Sequence, residues 1–139
     1  MREVADAFDF RLTGIDSMQG RETYVIDADP RPDYRPLRKQ ANILPKFRFR
    51  VWIDRDETQW VKLDAQFIDT ASFGWFVVRL RPGSRVLIEQ TRVNDDVWLP
   101  RHVNLKIDAR VALLKDFKGD IDVAYSDYKK FSVDAKILQ

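Results

Sequence analysis

The chain of 139 residues contains no cysteine, one histidine and only five glycines, which are not clustered. The absence of cysteine excludes disulfides and thiolate metal sites, and scattered glycines exclude a phosphate-binding glycine loop. No apolar run approaches the ~20 residues that a membrane-spanning helix needs. The first residues also lack the apolar central region of a signal peptide. We therefore expect no metal, no cofactor and no transmembrane segment.

The residues that could carry catalysis do not form a known catalytic pattern. His102 lies on the polar side of an alternating stretch, and a lone exposed histidine is seldom catalytic. The acidic segment 54–57 resembles the start of a calcium loop, but Gln59 stands where the sharp turn needs glycine. Ser72 does not lie in a nucleophile elbow. The sequence therefore favours a protein that is not an enzyme and has no catalytic residues.

Apolar residues occupy every second position in two neighbouring stretches, Phe47–Asp54 and Trp60–Phe67. A period of two places alternate side chains on opposite faces of a strand. Each stretch therefore predicts a strand with one apolar and one charged face, which is typical of an antiparallel sheet with one solvated side. The two strands follow each other closely and are expected to form a hairpin.

The register of this hairpin can be predicted from side-chain chemistry. If the two apolar sets share a face, the sequence numbers of any two residues that pair across the strands must add to an even number. A slip of one residue would bury the charged set instead. A total of 114 places Arg50 opposite Asp64 and Trp52 opposite Lys62, which are both favourable pairs. A total of 112 would place Arg50 opposite Lys62, which repels, although it would pair Trp52 with Trp60. We therefore predict the register with a total of 114.

Similar alternation, interrupted by turn residues, predicts strands over most of the remaining chain. They are expected at 8–13, 23–28, 85–93, 103–111, 121–125 and 131–137. Pro82 and Gly83 suit a type II turn, since glycine accepts the positive φ that the turn requires. Lys118 and Gly119 are expected to form another turn. There are no internal repeats, and the chain is predicted to form a single domain over residues 1–139.

Two stretches are less regular. Four prolines exclude a strand over 30–45. In this segment Leu37, Ala41 and Leu44 share one helical face and predict a short helix. The alternative is a proline-rich loop. The segment 71–80 is apolar without a clean period, which is typical either of a strand covered on both faces or of a buried helical turn. The prediction is an all-β fold with minor helix and about eight or nine strands. A closed barrel, a two-sheet sandwich and one curved sheet all remain possible.

Several short segments read YVID at 24–27, VWID at 51–54, WVKL at 60–63, QTRVND at 90–95 and VWLP at 97–100. In this order and at this spacing, they resemble the bacterial outer-membrane lipoprotein-sorting (LolA/LolB-like) superfamily. The resemblance covers roughly 8–137 and implies a strongly curved antiparallel meander that forms an unclosed half-barrel, with one or two short helices. It also implies a periplasmic carrier of acyl chains or lipoproteins. The family's N-terminal lid helix and first strands have no counterpart before Phe8, so the chain would correspond to the C-terminal part of such a domain.

On this reading, an apolar concave face binds acyl chains, and Phe73, Trp75 and Phe76 gate it. The alternative for each of these residues is plain hydrophobic core. A second alternative is a structural or interaction module that self-associates through the apolar face as a homodimer. Nucleic-acid binding is disfavoured, because the arginines and phenylalanines of one strand point to opposite faces. The predicted ligand-binding residues are Phe47, Phe49, Val51, Val61, Leu63, Phe67, Phe73, Trp75 and Phe76.

The charge of the chain is unevenly distributed. The segment 31–50 carries a net charge of +6, so the rest of the chain carries −4 within the total of +2. Such a patch could contact anionic lipid headgroups at a membrane surface or an anionic partner, and Arg35, Arg38 and Lys39 are the predicted contacts. The alternative is a solvated surface neutralised by acidic residues from elsewhere in the chain.

Overall fold

A computed structural model of the protein describes residues 2–36, 39–73, 78–93, 97–112, 115–126 and 130–138. They form a single antiparallel sheet with one short α-helix and one 3₁₀ helix, which confirms the predicted all-β class. The elements are α1 (Arg2–Ala7), β1 (Phe8–Met18), β2 (Arg21–Pro30), the 3₁₀ helix (Lys39–Lys46), β3 (Phe47–Asp54), β4 (Trp60–Phe67), β5 (Ala71–Phe73), β6 (Val78–Leu80), β7 (Arg85–Val93), β8 (Val97–Val111), β9 (Lys115–Ser126) and β10 (Lys130–Leu138).

The long strands follow a meander in the order β1-β2-β3-β4-β7-β8-β9-β10, and each pair is antiparallel. The small β5–β6 hairpin extends this sheet, because β6 pairs with the C-terminal end of β8. In the part of the chain that the structure describes, β1 pairs only with β2 and β10 only with β9. The sheet is therefore unclosed, as predicted.

The register of the β3–β4 hairpin is the predicted one. Val51 pairs with Leu63, and Arg50 lies opposite Asp64. The Lys62 ammonium lies 4.8 Å from the ring centroid of Trp52, so the expected cation–π pair forms. The register shifts at the end of the ladder, after Trp52, as a β-bulge does.

Of two turns predicted from the sequence, one forms and the other does not. The turn at 81–84 is type II as predicted, since Gly83 has a φ of 97° and the Ser84 N–H donates to the Arg81 carbonyl at 3.2 Å. The predicted turn at Lys118 and Gly119 is wrong, because both residues pair with β8 inside β9. The chain leaves β8 at Ala112, whose φ is 54°, so β9 already begins at Lys115.

The helical segments differ in detail from the prediction. The short helix expected near Leu37–Leu44 is a 3₁₀ helix over Lys39–Lys46. The sequence did not predict α1, because six residues are too few to show a helical period. Both segments cover one end of the sheet, where Val4 of α1 and Leu44 of the 3₁₀ helix pack against a cluster centred on the fully buried Phe8.

The sheet is strongly curved. The Gln19 side chain, in the β1–β2 turn, donates to the Gln90 carbonyl of β7 at 2.8 Å. The guanidinium of Arg21 lies 6.0 Å from the centroid of the Trp98 ring of β8. Since β3 and β4 separate β2 from β7 in the ladder, these contacts require the sheet to curl at this end.

A buried carboxylate organises the tip of the β3–β4 hairpin. Asp54 is only 1% exposed, and its Oδ1 accepts the backbone N–H groups of Asp56 at 2.9 Å and Glu57 at 2.8 Å. Arg21 donates from Nε to Oδ2 at 2.5 Å and from Nη2 to Oδ1 at 3.2 Å. The hydrogen bonds from Arg21 hold the pKa of Asp54 below its ordinary value. The acidic segment 54–57 therefore stabilises a turn, with the Asp54 oxygens already engaged by donors.

Candidate ligand-binding face

One face of the sheet, which we call the apolar face, carries an uninterrupted row of aliphatic side chains. Each member of the row pairs directly with its neighbour on the next strand. Seven strands contribute, and at a spacing of ~4.8 Å the row is about 29 Å long. Its members are Leu12, Ile26, Val51, Leu63, Ile88, Val103 and Val123.

A second row runs parallel to the first, two residues further along each strand. It contains smaller side chains beside larger ones and ends near the helical segments at β1–β3. Its members are Phe10, Ala28, Phe49, Ala65, Val86, Leu105 and Ile121. From Ile26 to Val123 the first row is half-buried throughout. The apolar face is therefore covered at one end and accessible over much of its length.

The predicted ligand-binding residues divide between the covered and the accessible parts of this face. Phe47 and Phe49 pack on Phe8, with ring centroids 5.5 and 5.0 Å from its own. Val61 and Phe67 are also buried. By contrast, Val51 and Leu63 are half-buried neighbours in the first row. The phenylalanines of β3 therefore serve the core, and the aliphatic pair beyond them is accessible to a ligand.

The predicted gate falls largely outside the described residues. Phe73 ends β5, and Trp75 and Phe76 lie outside the described ranges. Among the predicted headgroup contacts, Arg35 is exposed and donates to the Tyr34 carbonyl at 3.2 Å. Lys39 begins the 3₁₀ helix, and Arg38 again lies outside the described residues.

A small recess opens on the apolar face where β4, β6, β7 and β8 meet. Its volume is about 180 Å³. The apolar part of its lining consists of Phe67, Leu80, Val86, Leu105 and Ile107. Of these residues, only Phe67 was predicted from the sequence as a ligand-binding residue. The alternation in β8 was visible in the sequence, but the pairing of β7 with both β4 and β8 was needed to place these residues side by side.

The opposite face carries an ionic ladder over a broad concavity of about 380 Å³. Three arginines each bind an aspartate across the strands, which leaves little net charge. The pairs are Arg11 with Asp29 (2.7 Å), Arg50 with Asp27 (Nε–Oδ1, 2.5 Å) and Arg85 with Asp64 (Nε–Oδ1, 2.7 Å). The hydrogen bonds from Arg50 hold the pKa of Asp27 below its ordinary value.

The basic segment 31–50 is partly neutralised in the same way. Arg31 pairs with Asp9 at 3.0 Å, and Lys46 pairs with Asp69 at 3.3 Å. Together with Arg50, three of the seven cations in the segment have an acidic partner from elsewhere in the chain. This arrangement fits the alternative reading of the segment as a solvated surface with countercharges.

His102 belongs to a polar cluster on the charged face. Its Nε2 lies 2.5 Å from Oδ1 of Asp122, and Asn104 donates to Asp120 at 2.8 Å and to Asp122 at 3.1 Å. Hydrogen bonds from Asn104 and then from His102 hold the pKa of Asp122 below its ordinary value. No group of three or more histidine, cysteine or acidic side chains within the described ranges is arranged to hold a metal ion.

Comparisons with known proteins add no relative. A scan against protein-family models found no match, and searches of curated proteins and of solved structures found no similar protein. Of the helices in the described segments, none is sufficiently long and apolar to span a membrane.

Proposed function

We propose that this domain is a non-enzymatic binding protein that holds an acyl chain on its apolar face. The observation that carries the proposal is the aliphatic row from Ile26 to Val123, which stays half-buried across six strands. A sheet face of this kind is normally covered by helices or a second sheet. Within the described residues, α1 and the 3₁₀ helix pack around the Phe8 cluster at one end of this face. An acyl chain laid along the row would complete the burial.

The energetics favour a flexible apolar ligand. Each methylene group that leaves water contributes about 0.8 kcal/mol, so six to eight buried methylenes supply about 5–6 kcal/mol before the cost of ordering the chain. The recess of about 180 Å³ at Phe67 and Leu105 offers a terminal pocket for part of such a chain. The row passes this recess at Ile88 and Val103, each two residues along its strand from a residue of the lining.

The sequence resemblance to lipoprotein-sorting domains supports the same proposal and adds a setting. A carrier of that kind would hold the acyl chains of lipids or lipoproteins during transit through the periplasm. The exposed Arg35 beside the covered end of the sheet could contact an anionic headgroup or membrane surface. Its partners in this role would be Arg38 and Lys39.

The test is a titration with a fluorescent long-chain fatty acid against two matched variants. Leu87 and Ile88 are adjacent half-buried residues of β7 whose side chains lie on opposite faces of the sheet. Ile88→Gln places a polar group in the aliphatic row, whereas Leu87→Gln changes the charged face. We expect Ile88→Gln to weaken binding about tenfold or more and Leu87→Gln to change it less than about twofold.

Circular dichroism of both variants provides the folding control. Equal losses in two folded variants would contradict binding on the apolar face. Absence of saturable fatty-acid binding to the wild-type protein would contradict acyl-chain binding itself.

A second candidate function is a structural interaction module. The observation that favours it is the set of exposed apolar side chains on β1, an outer strand of the sheet. This function requires no ligand and is distinguished by self-association without bound lipid.

A further inference from the structure

We propose that two copies of this protein pair through β1 in antiparallel orientation, with Phe10 opposite Phe10 of the second copy, and so form one continuous sheet. The proposal does not depend on acyl-chain binding. It is based on three properties of β1: the direction of its backbone groups, the exposure of its apolar residues and the order of its charges.

The backbone of β1 presents hydrogen-bonding groups to its open side. The Arg31 N–H donates to the Ala7 carbonyl at 2.8 Å, which continues the β1–β2 register beyond the Phe8–Pro30 pair. Hydrogen-bonded pairs alternate along an antiparallel ladder, so Asp9 and Arg11 direct their N–H and C=O groups toward β2. Phe10 and Leu12 direct theirs outward. Pro30 agrees with this assignment. It pairs with Phe8, whose backbone groups point away from β2, so the β1–β2 ladder does not need the N–H that proline lacks.

The exposed apolar side chains of β1 lie on one face. Phe10 and Leu12 are 47% and 65% exposed, and Ile15, beyond a register shift at 12–14, is 61% exposed. Pairing around Phe10 would place its ring against the same ring of the second copy, while Phe8 stays buried in its own cluster. The apolar faces of the two sheets would then be continuous.

The charges of β1 favour this register over the two adjacent ones. Asp9 and Arg11 are both exposed on the charged face, where Arg31 and Asp29 are their intramolecular partners. With Phe10 opposite itself, Asp9 lies opposite Arg11 of the second copy, and symmetry forms this pair twice. A shift of the two-fold axis to Arg11 would place Arg11 opposite itself, and a shift to Asp9 would place Asp9 opposite itself; both arrangements repel.

The register shift at 12–14 limits how far the pairing can extend. A bulge bends an edge strand and ends regular pairing, and Phe8 is already fully buried, so the accessible regular part is the four-residue segment 9–12. An interface of this length predicts a reversible dimer, stabilised by the exposed apolar residues and by the two charge pairs.

The experiment measures the mass of the protein by sedimentation equilibrium from about 5 µM to about 500 µM, where dimers with a Kd near micromolar are resolved. We expect the wild-type protein to dimerise in this range. Asp9→Lys and Arg11→Glu each create two repulsive pairs, and each should weaken the dimer roughly 10- to 100-fold. Lys115→Glu, an exposed charge change on β9, should leave the dimer unchanged.

A mixture of the two charge variants tests the register itself. In a heterodimer of Asp9→Lys with Arg11→Glu, both cross-strand pairs are again of opposite charge. Native mass spectrometry should therefore find the heterodimer in excess of either homodimer. Leu12→Pro removes an N–H that points away from β2 and leaves the β1–β2 hydrogen bonds in place. It should therefore also weaken the dimer.

A wild-type protein that stays monomeric throughout the range would overturn the proposal. Dimerisation of either charge variant at the wild-type affinity, or failure of the mixture to form heterodimers, would also overturn it. A dimer that survives Leu12→Pro at full affinity would do the same. None of these outcomes bears on fatty-acid binding, which the titration measures separately.

Discussion

Replacing Asp54 by asparagine should destabilise the protein strongly. Among the ion-paired carboxylates described above, we expect the change to an amide to cost most at this position. The carboxylate is 1% exposed, receives two hydrogen bonds from Arg21 and accepts two backbone N–H groups. Removing one partner of a buried ion pair costs about 3–5 kcal/mol. Asparagine still accepts the N–H groups of Asp56 and Glu57, and Arg21 keeps some access to water. We therefore expect a loss of about 2–3 kcal/mol in the free energy of unfolding.

The assay is urea denaturation followed by tryptophan fluorescence at pH 7, and its matched control is Glu22→Gln. Glu22 also binds an arginine, Arg55, at 2.6 Å, but both side chains are more than half exposed. Exposed pairs contribute about 0–1 kcal/mol, so Glu22→Gln should change stability by less than about 1 kcal/mol. A loss below about 0.5 kcal/mol for Asp54→Asn, or equal losses for the two variants, would refute the reasoning.

The pH dependence follows from the lowered pKa of Asp54. The unfolded chain binds a proton at the ordinary aspartate pKa of about 3.9, whereas the folded protein binds it only at lower pH. The stabilisation is therefore complete above the unfolded pKa and is lost as pH falls through the folded pKa. The difference between wild type and Asp54→Asn should shrink between pH 6 and about pH 3. A difference that stays constant or grows on acidification would contradict this assignment.

Three further predictions concern the core and the polar face. Phe8→Ala should lower the free energy of unfolding by about 3–5 kcal/mol, because it opens a cavity in the cluster that the helical segments cover; a loss under about 1 kcal/mol in urea denaturation would show that this cluster is not a core. Lys62→Gln should cost at most about 1 kcal/mol through the lost contacts with Trp52 and with Glu89, whose Oε1 lies 3.8 Å from the ammonium, and a larger loss would contradict the small contribution of these two contacts. Asn104→Leu should raise the carboxyl pKa of Asp122 toward its ordinary value in an NMR titration, and an unchanged pKa would refute the role of the Asn104 amide.

The parts of the fold that the sequence predicted depend on strong local periodicity. Alternation in β3 and β4 fixed which residues share a face, and the opposite charges of Arg50 and Asp64 selected the register. The type II turn at Gly83 was predictable because few residues tolerate its φ. These features are determined within a few residues of chain, or between two adjacent strands.

The features that the sequence did not predict depend on contacts between distant segments. Lys118 and Gly119 have turn chemistry, but the chain reverses before them, and pairing with β8 keeps both within a strand. The helix α1 is too short for a period and is stabilised by packing on Phe8. Curvature depends on contacts such as Gln19 with Gln90, which are 71 residues apart.

The candidate site was predictable only in part for the same reason. Val51 and Leu63 lie in the aliphatic row because of the predicted hairpin register. Ile88 and Val103 belong to the same row, but this requires β4 to pair with β7, which the intervening β5–β6 hairpin obscures in the sequence. Phe47 and Phe49 have the same alternation as Val51, and their packing on Phe8 of β1 assigns them to the core.

The most direct test of acyl-chain binding is native mass spectrometry of the protein purified under gentle conditions. Binding of an acyl chain along the row from Ile26 to Val123 predicts an added mass in the range of a fatty acid or phospholipid. This mass should disappear on denaturation and should be reduced in the Ile88→Gln variant. A protein that carries no added mass, and acquires none after incubation with long-chain fatty acid, would contradict acyl-chain binding on this face.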